Sequence, residues 1–227
     1  EKSKVDVIAK DEEIIYSLKY CDKQNIILTS NSTNKLKIWD MGSYSLLNVF
    51  SDEIDIMKIS LSGNTLTYCG SLKDKMLIKS VDLRNTKTLL YENEIPAYIT
   101  SLCTQEDKAI IGRIDGKLNV EYFVDKSSSY SFKGHKEENE TEEILYPVNC
   151  VDIKNDMFAS GGSDKYVYLW DIYKRKKISK SKMFPESISN LSFTDKYLAV
   201  ASSTMHQDFN FEEKGYILNY LEFISYM

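Results

Sequence analysis

The chain has 227 residues, 42% of them hydrophobic and 28% charged, with a formal net charge of −5. That balance describes one large or two small folded domains with a sizeable core, and it argues against a disordered chain. It also argues against a general binder of nucleic acid or membrane surfaces, which carries a basic excess; no apolar run approaches the ~18 residues of a membrane span.

Period-two alternation runs through the chain. "NKLKIWD" (34–40), "KMLIKSVDL" (75–83), "KLNVEYFVD" (117–125) and "KYVYLWD" (165–171) each read as a strand rich in β-branched or aromatic residues. A shorter strand and a turn precede each one: "IILTSNST", "TLTYCGSLKD", "AIIGRIDG" and "MFASGGSD". A fifth unit, "YLAVASSTMHQDFNFEEKGYILNYLE" (197–222), has the same form with a longer turn. No segment carries a convincing helical period. Equivalent strand ends fall at Trp39, Val81, Phe123, Trp170 and Leu221, spaced by 42, 42, 47 and 51 residues. Four short strands recurring at that period predict an all-β fold, a WD-repeat β-propeller of four-stranded antiparallel blades, rather than an irregular sandwich. The expected organisation is a single propeller domain over 1–227, with repeats ending near 40, 83, 125, 171 and 222.

A buried tryptophan needs an acceptor for its indole N–H, and leaving it unpaired costs about 1–3 kcal/mol. In such a blade the tryptophan lies on the third strand and an aspartate occupies the tight turn before it. A histidine from the preceding loop bonds the aspartate, and a serine on the second strand relays the bond to the indole. His135 (in "FKGHK"), Ser160, Asp164 and Trp170 supply that set. The repeat ending at Trp39 lacks both the histidine and the aspartate. The same residues read alternatively as a Ser-His-Asp catalytic group. No G-x-S-x-G elbow accompanies them, and they fall where a blade's internal bonds require them, so the structural reading is preferred. His206, in the long turn of the fifth unit, is expected to be solvated.

Other chemistry is not visible. Cys21, Cys69, Cys103 and Cys150 form no C-x-x-C pair, which predicts neither a zinc site nor a disulfide framework. There is no phosphate-cradling glycine loop and no H-E-x-x-H or EF-hand spacing. No metal or cofactor is expected, and the chain reads as a non-enzymatic binding platform. The acidic run "EENETEEI" (137–144) is read as a solvated loop between blades. "YKRKKISKSK" (173–182), with six cations in ten residues, is read as an exposed inter-blade loop rather than a nucleic-acid patch.

From residue 113 onward the chain resembles the spindle-assembly-checkpoint WD-repeat family of the Bub-three type. "RIDGKLNVEYF" is similar to that family's I-[DE]-G-R-V-A-V-E-[YF], and "FKGHK" to its F-[KR]-C-H-R. "YPVNCVDI" and "ASGGSDKYVYLWDIYKRKKI" resemble its Y-P-V-N and G-G-S-D segments, and "SISNLSFTDKYLAVASSTM" its last blade. Weaker similarity extends back through "MLIKSVDLRN" and "KLKIWD". The related mRNA-export propellers of nuclear pores show Y-A-V-N and V-G-S-D instead, so the checkpoint branch is favoured over that alternative and over a generic WD-repeat scaffold. The family has seven blades, and about five are countable here. The missing two would be N-terminal, which puts ring closure in doubt.

The resemblance implies a mitotic checkpoint adaptor that binds GLEBS segments of a checkpoint kinase and phosphothreonine-bearing M-E-L-T repeats of a kinetochore scaffold. It implies a nuclear and kinetochore location, with a cytoplasmic pool, and a monomeric propeller working within complexes. The family's basic positions fall on Lys117, Lys133 and Lys136, all still cationic, though lysine at the first and last loses arginine's bidentate geometry. A further family arginine aligns with Tyr98, and Arg113 is the candidate to compensate. Glu121 and Tyr122 are either plain strand residues or part of a peptide-binding rim. By themselves the three lysines read equally well as solvated surface.

Overall fold

The computed structural model describes residues 12–139, 141–203 and 220–225, which fall into two compact units, one up to Pro96 and one from Ala97. His206 lies outside the described residues. A 3-10 turn at Lys126–Ser128 is the only helical element among those described.

The first unit holds two antiparallel meanders. One is β1 (Ile15–Cys21), β2 (Ile26–Asn31), β3 (Lys35–Asp40) and β4 (Ser45–Ser51); the other is β5 (Asp55–Ser62), β6 (Thr65–Leu72), β7 (Lys75–Asp82) and β8 (Asn85–Ile95). Alternation along β3 buries Leu36 and Ile38, which pack with Ile56, Ile59, Leu66 and Tyr68 of the second sheet. Trp39 donates its indole N–H to Thr29 Oγ1 at 3.0 Å. The second sheet has no tryptophan, and a different trio fills the space. The Tyr68 hydroxyl donates to Asp52 Oδ2 at 2.6 Å, and Lys79 Nζ donates to Asp52 Oδ1 at 2.9 Å.

Burial pushes the Asp52 carboxyl up, but the bonds from Tyr68 and Lys79 outweigh it and hold the group below the ordinary carboxylate value. A carboxylate depressed in the folded state contributes stability above its unfolded pKa, and that contribution is lost as pH falls through the folded value. Acid denaturation followed by circular dichroism should therefore show a loss below about pH 4 that Asp52→Asn makes shallower. An identical acid limb in the variant would take Asp52 out of the account.

The second unit continues the pattern. Its first sheet comprises β9 (Ile99–Gln105), β10 (Lys108–Arg113), β11 (Lys117–Tyr122) and β12 (Tyr130–Lys133). A two-stranded ribbon follows, β13 (Lys136–Glu138) with β14 (Glu143–Leu145). The next sheet is β15 (Val148–Lys154), β16 (Met157–Gly162), β17 (Val167–Asp171) and β18 (Lys176–Lys180). A three-stranded sheet closes the described chain: β19 (Ile188–Phe193), β20 (Tyr197–Ser202) and β21 (Tyr220–Ser225). Ile110, Leu118 and Val120 pack against Val151, Phe158 and Trp170 between the first two of these sheets.

One backbone bond repeats through four sheets and fixes their equivalence. The N–H just beyond the third strand returns to the hairpin that opens the second: Met41 to Asn25, Leu83 to Asn64, Phe123 to Asp107 and Ile172 to Asp156, at 2.7–3.0 Å. By this register Glu121, not Phe123, stands where Trp39, Val81 and Trp170 stand. In the last sheet Ser225 opposes Tyr197, so Ile224 rather than Leu221 takes that place. The repeat itself is unaffected.

Two segments expected as loops are strands. Lys136–Glu138 and Glu143–Leu145 pair as the β13–β14 ribbon, whose three-residue strands are too short to show an alternation in sequence. Residues 176–180 form β18, the outer strand of its sheet, fully exposed along its length. A basic edge strand is stable there because Lys177 and Lys180 lie over the rings of Tyr168 and Tyr166, and the lysines discourage edge-to-edge pairing.

Candidate functional site

Four of the singled-out residues meet between β12 and β17. The Trp170 indole N–H donates to Ser160 Oγ at 2.8 Å, Ser160 Oγ meets His135 Nε2 at 2.8 Å, and His135 Nδ1 meets Asp164 Oδ1 at 2.8 Å. A carboxylate only accepts, so Nδ1 carries the hydrogen; Ser160 accepts from the indole and gives its own hydrogen to Nε2. Asp164 also accepts from the Tyr168 hydroxyl at 3.2 Å and the Tyr166 N–H at 3.3 Å. His135 and Ser160 are fully buried. The serine is held between two nitrogens and shut off from solvent, which is an arrangement for packing rather than for attack on a substrate.

The glycines beside this group follow from it. A Cβ on Gly162 would stand 2.2 Å from His135 Nδ1. Gly116, at φ +74°, turns its carbonyl to the Gly134 and His135 N–H groups at 3.0 and 3.2 Å, and so seats the histidine loop.

The same register position carries a different polar group in the β9–β12 sheet. Arg113 grips Asp115 through both carboxylate oxygens at 3.0 and 2.6 Å and donates to Asn119 Oδ1 at 3.2 Å. Asn119 passes the bond to Glu121 Oε1 at 2.9 Å. Arg113 and Glu121 are each only 3% exposed. Arg113 is therefore not a surface cation that replaces a lost one, and Glu121 is not on a rim. Both belong to this sheet's inner ladder, the counterpart of the Trp170 network. Tyr122 lies at the far end of β11, opposite Lys108, partly buried against the Trp170 cluster and away from the lysines.

The three lysines do gather. Lys117 and Lys133 are directly opposed on β11 and β12, and Lys136 begins the ribbon three residues on. Tyr98 is at the same end, 47% exposed, its carbonyl accepting the Ile114 N–H at 3.0 Å. Like charges facing each other across a sheet are destabilising by roughly 0.2–1 kcal/mol, so an anion must offset them. The ribbon supplies one. Glu143 accepts from Lys133 and lies 3.5 Å from Lys136, which also bonds Glu138; Asp115 stands 4.0 Å from Lys117. The Lys133 bond holds the Glu143 carboxyl below its ordinary value, and the Glu138 bond raises Lys136. The acidic run thus contributes to both strands of the ribbon, and its Glu143 lies on the cations, a relation no spacing rule reveals.

The four cysteines are buried free thiols; burial lifts Cys69 to about 12 and Cys150 upward as well. Among the described residues no cluster of His, Cys, Asp and Glu suits a metal ion.

Comparison with known proteins places the Trp170 network inside a recognised unit. Residues 126–171 match the family model "WD domain, G-beta repeat", a span that contains His135, Ser160, Asp164 and Trp170. The chain is 29% identical over 226 residues to the mitotic checkpoint protein bub3 of Dictyostelium discoideum, covering 91% of this chain and 64% of that one. It is 28% identical over 196 residues to bub-3 of Caenorhabditis elegans, covering 81% and 57%. The chain therefore spans about three-fifths of the length of these relatives. Among solved structures it is similar to a chain of a mitotic checkpoint complex (TM-score 0.69, 14% identity, 85% of this chain and 59% of that one). It is also similar to the Myceliophteria thermophila Cps50 (Swd1) β-propeller domain (TM-score 0.71, 11% identity, 93% and 73%). The chain has a β-propeller fold with a WD repeat at residues 126–171, and its curated relatives over most of its length are mitotic checkpoint proteins of the Bub3 type.

Proposed function

We propose that this chain is a non-enzymatic checkpoint adaptor whose lysine end, at Lys117, Lys133 and Lys136, receives phosphothreonine-bearing M-E-L-T segments of a kinetochore scaffold. The observation that carries the reading is the direct opposition of Lys117 and Lys133. A sheet gains nothing from two cations side by side, whereas a phosphate dianion gains short charge-assisted bonds from both. Similarity to mitotic checkpoint proteins supports the checkpoint role, and the ligand class is the one the sequence resemblance implies. A GLEBS segment of a checkpoint kinase is the second proposed partner, and the nucleus and mitotic kinetochore the proposed location.

Isothermal titration with a phosphorylated M-E-L-T peptide and its unphosphorylated twin tests this reading. Binding should depend on the phosphate and weaken as salt rises from ~50 to ~300 mM, because exposed charges are screened. Equal binding of both peptides, or of neither, would remove the proposal.

A further inference from the structure

We infer that the β13–β14 ribbon is an internal anionic cover for the lysine end of the β9–β12 sheet: Glu143 occupies Lys133 of β12, and Glu138 and Glu143 occupy the ribbon's own Lys136, until an acidic ligand takes their place. This rests on the proposed phosphopeptide site and names how that site is regulated.

Three features of the ribbon carry the inference. Its carboxylates sit on the ligand-facing cations: Glu143 reaches both Lys133 and Lys136, and Glu138 reaches Lys136. Its own pairing is poor without them, since Glu138 and Glu143 oppose each other directly and the Lys136 and Lys133 ammonium groups offset the repulsion. It is also thin: β13 has three residues, all exposed, and β14 has three, of which Leu145 alone is half-buried. A two-stranded ribbon of this kind is marginal by itself.

The strength of the cover fits displacement. Exposed ion pairs are weak because solvent screens them, whereas a phosphate dianion brings more charge and three acceptor oxygens to the same lysines. The cover therefore lowers affinity for acidic ligands without closing the site. Weakly charged peptides are kept off the lysines, and a phosphate overcomes the competition. The ribbon adds selectivity for the phosphorylated form by standing in for a weaker anion.

Glu143→Gln and Glu138→Gln/Glu143→Gln separate this cover from an ordinary surface contact. Both positions are exposed or half-exposed, and glutamine keeps the size of glutamate while removing its charge. The first measurement uses the protein alone: lysine acylation by acetic anhydride, read by mass spectrometry, with Lys75 (paired to Glu94) as internal reference. Lys133 and Lys136 should be modified about two- to fivefold faster in the double variant, with Lys75 unchanged. The second is titration with the phosphorylated peptide, which should bind about fivefold tighter to the double variant. Unchanged labelling would overturn the cover. Raised labelling with unchanged peptide affinity would overturn its competitive role. Raised labelling with no peptide binding by any form would remove the phosphothreonine reading and retain the cover against a different acidic ligand.

Discussion

Asp164→Ala is expected to lower the unfolding midpoint of the second unit by about 5–10 °C, at ~2–4 °C per kcal/mol for a chain of this size. The residue is not conspicuous by size, but three groups lose an acceptor at once: His135 Nδ1, the Tyr168 hydroxyl and the Tyr166 N–H. Each buried polar group left unpaired costs about 1–3 kcal/mol. His135 has no solvent to turn to, and its reorientation loosens Ser160 and through it the Trp170 indole. A net loss of about 2–3 kcal/mol follows, because water reaches the Asp164 side of the cluster more readily than the histidine. Asp164→Asn keeps an acceptor oxygen and should lose about half as much. The two tryptophans lie one in each unit, so Trp39→Phe makes Trp170 the sole fluorescent reporter of the second. A midpoint unchanged within error in that background would mean that these bonds are not holding the blade.

How far the sequence carries depends on what kind of physics each feature uses. The strands were legible because burying one face of a pleated sheet imposes period two, and the repeat because each sheet reuses the same turn chemistry. The His135–Ser160–Asp164–Trp170 group was legible because a buried indole demands an acceptor. The substitutes in the other sheets were not. Tyr68–Asp52–Lys79 and Asp115–Arg113–Asn119–Glu121 occupy equivalent positions with unrelated residue types, and nothing in their spacing marks them as a set. Their common signal is a polar residue on the inner face of the second or third strand, which in sequence reads as an ordinary outward position. This is why Arg113 and Glu121 read as surface candidates when both are buried. The β13–β14 ribbon was illegible for a different reason. Its charge contact with β12 joins Lys133 to Glu143 across the intervening residues, and strands of three residues are too short to show a hydrophobic period.

Lys117→Glu combined with Lys133→Glu is expected to abolish phosphopeptide binding while leaving the fold in place. The two side chains face each other at the sheet end, Lys117 half-buried and Lys133 exposed, so the pair turns from two cations into two carboxylates at one spot. A hydrogen bond to a charged group contributes about 1.5–3 kcal/mol, so losing two weakens binding by at least about 100-fold before repulsion is counted. The fold should tolerate the exchange because neither lysine belongs to an apolar cluster. The inner ladder that orders this sheet runs through Arg113, Asn119 and Glu121 instead. That separation gives a sharp contrast. Arg113→Lys breaks the two-oxygen grip on Asp115 and should lower the melting midpoint with little change in affinity. Lys117→Arg with Lys133→Arg should do the reverse, tightening the phosphopeptide by restoring a planar fork where lysine offers a point charge. Affinity that followed Arg113 and ignored the lysines would move the ligand site inward and refute the rim assignment. Affinity that follows the lysines alone fixes the division of labour in this sheet, with one cation buried for the fold and two at its end for the ligand.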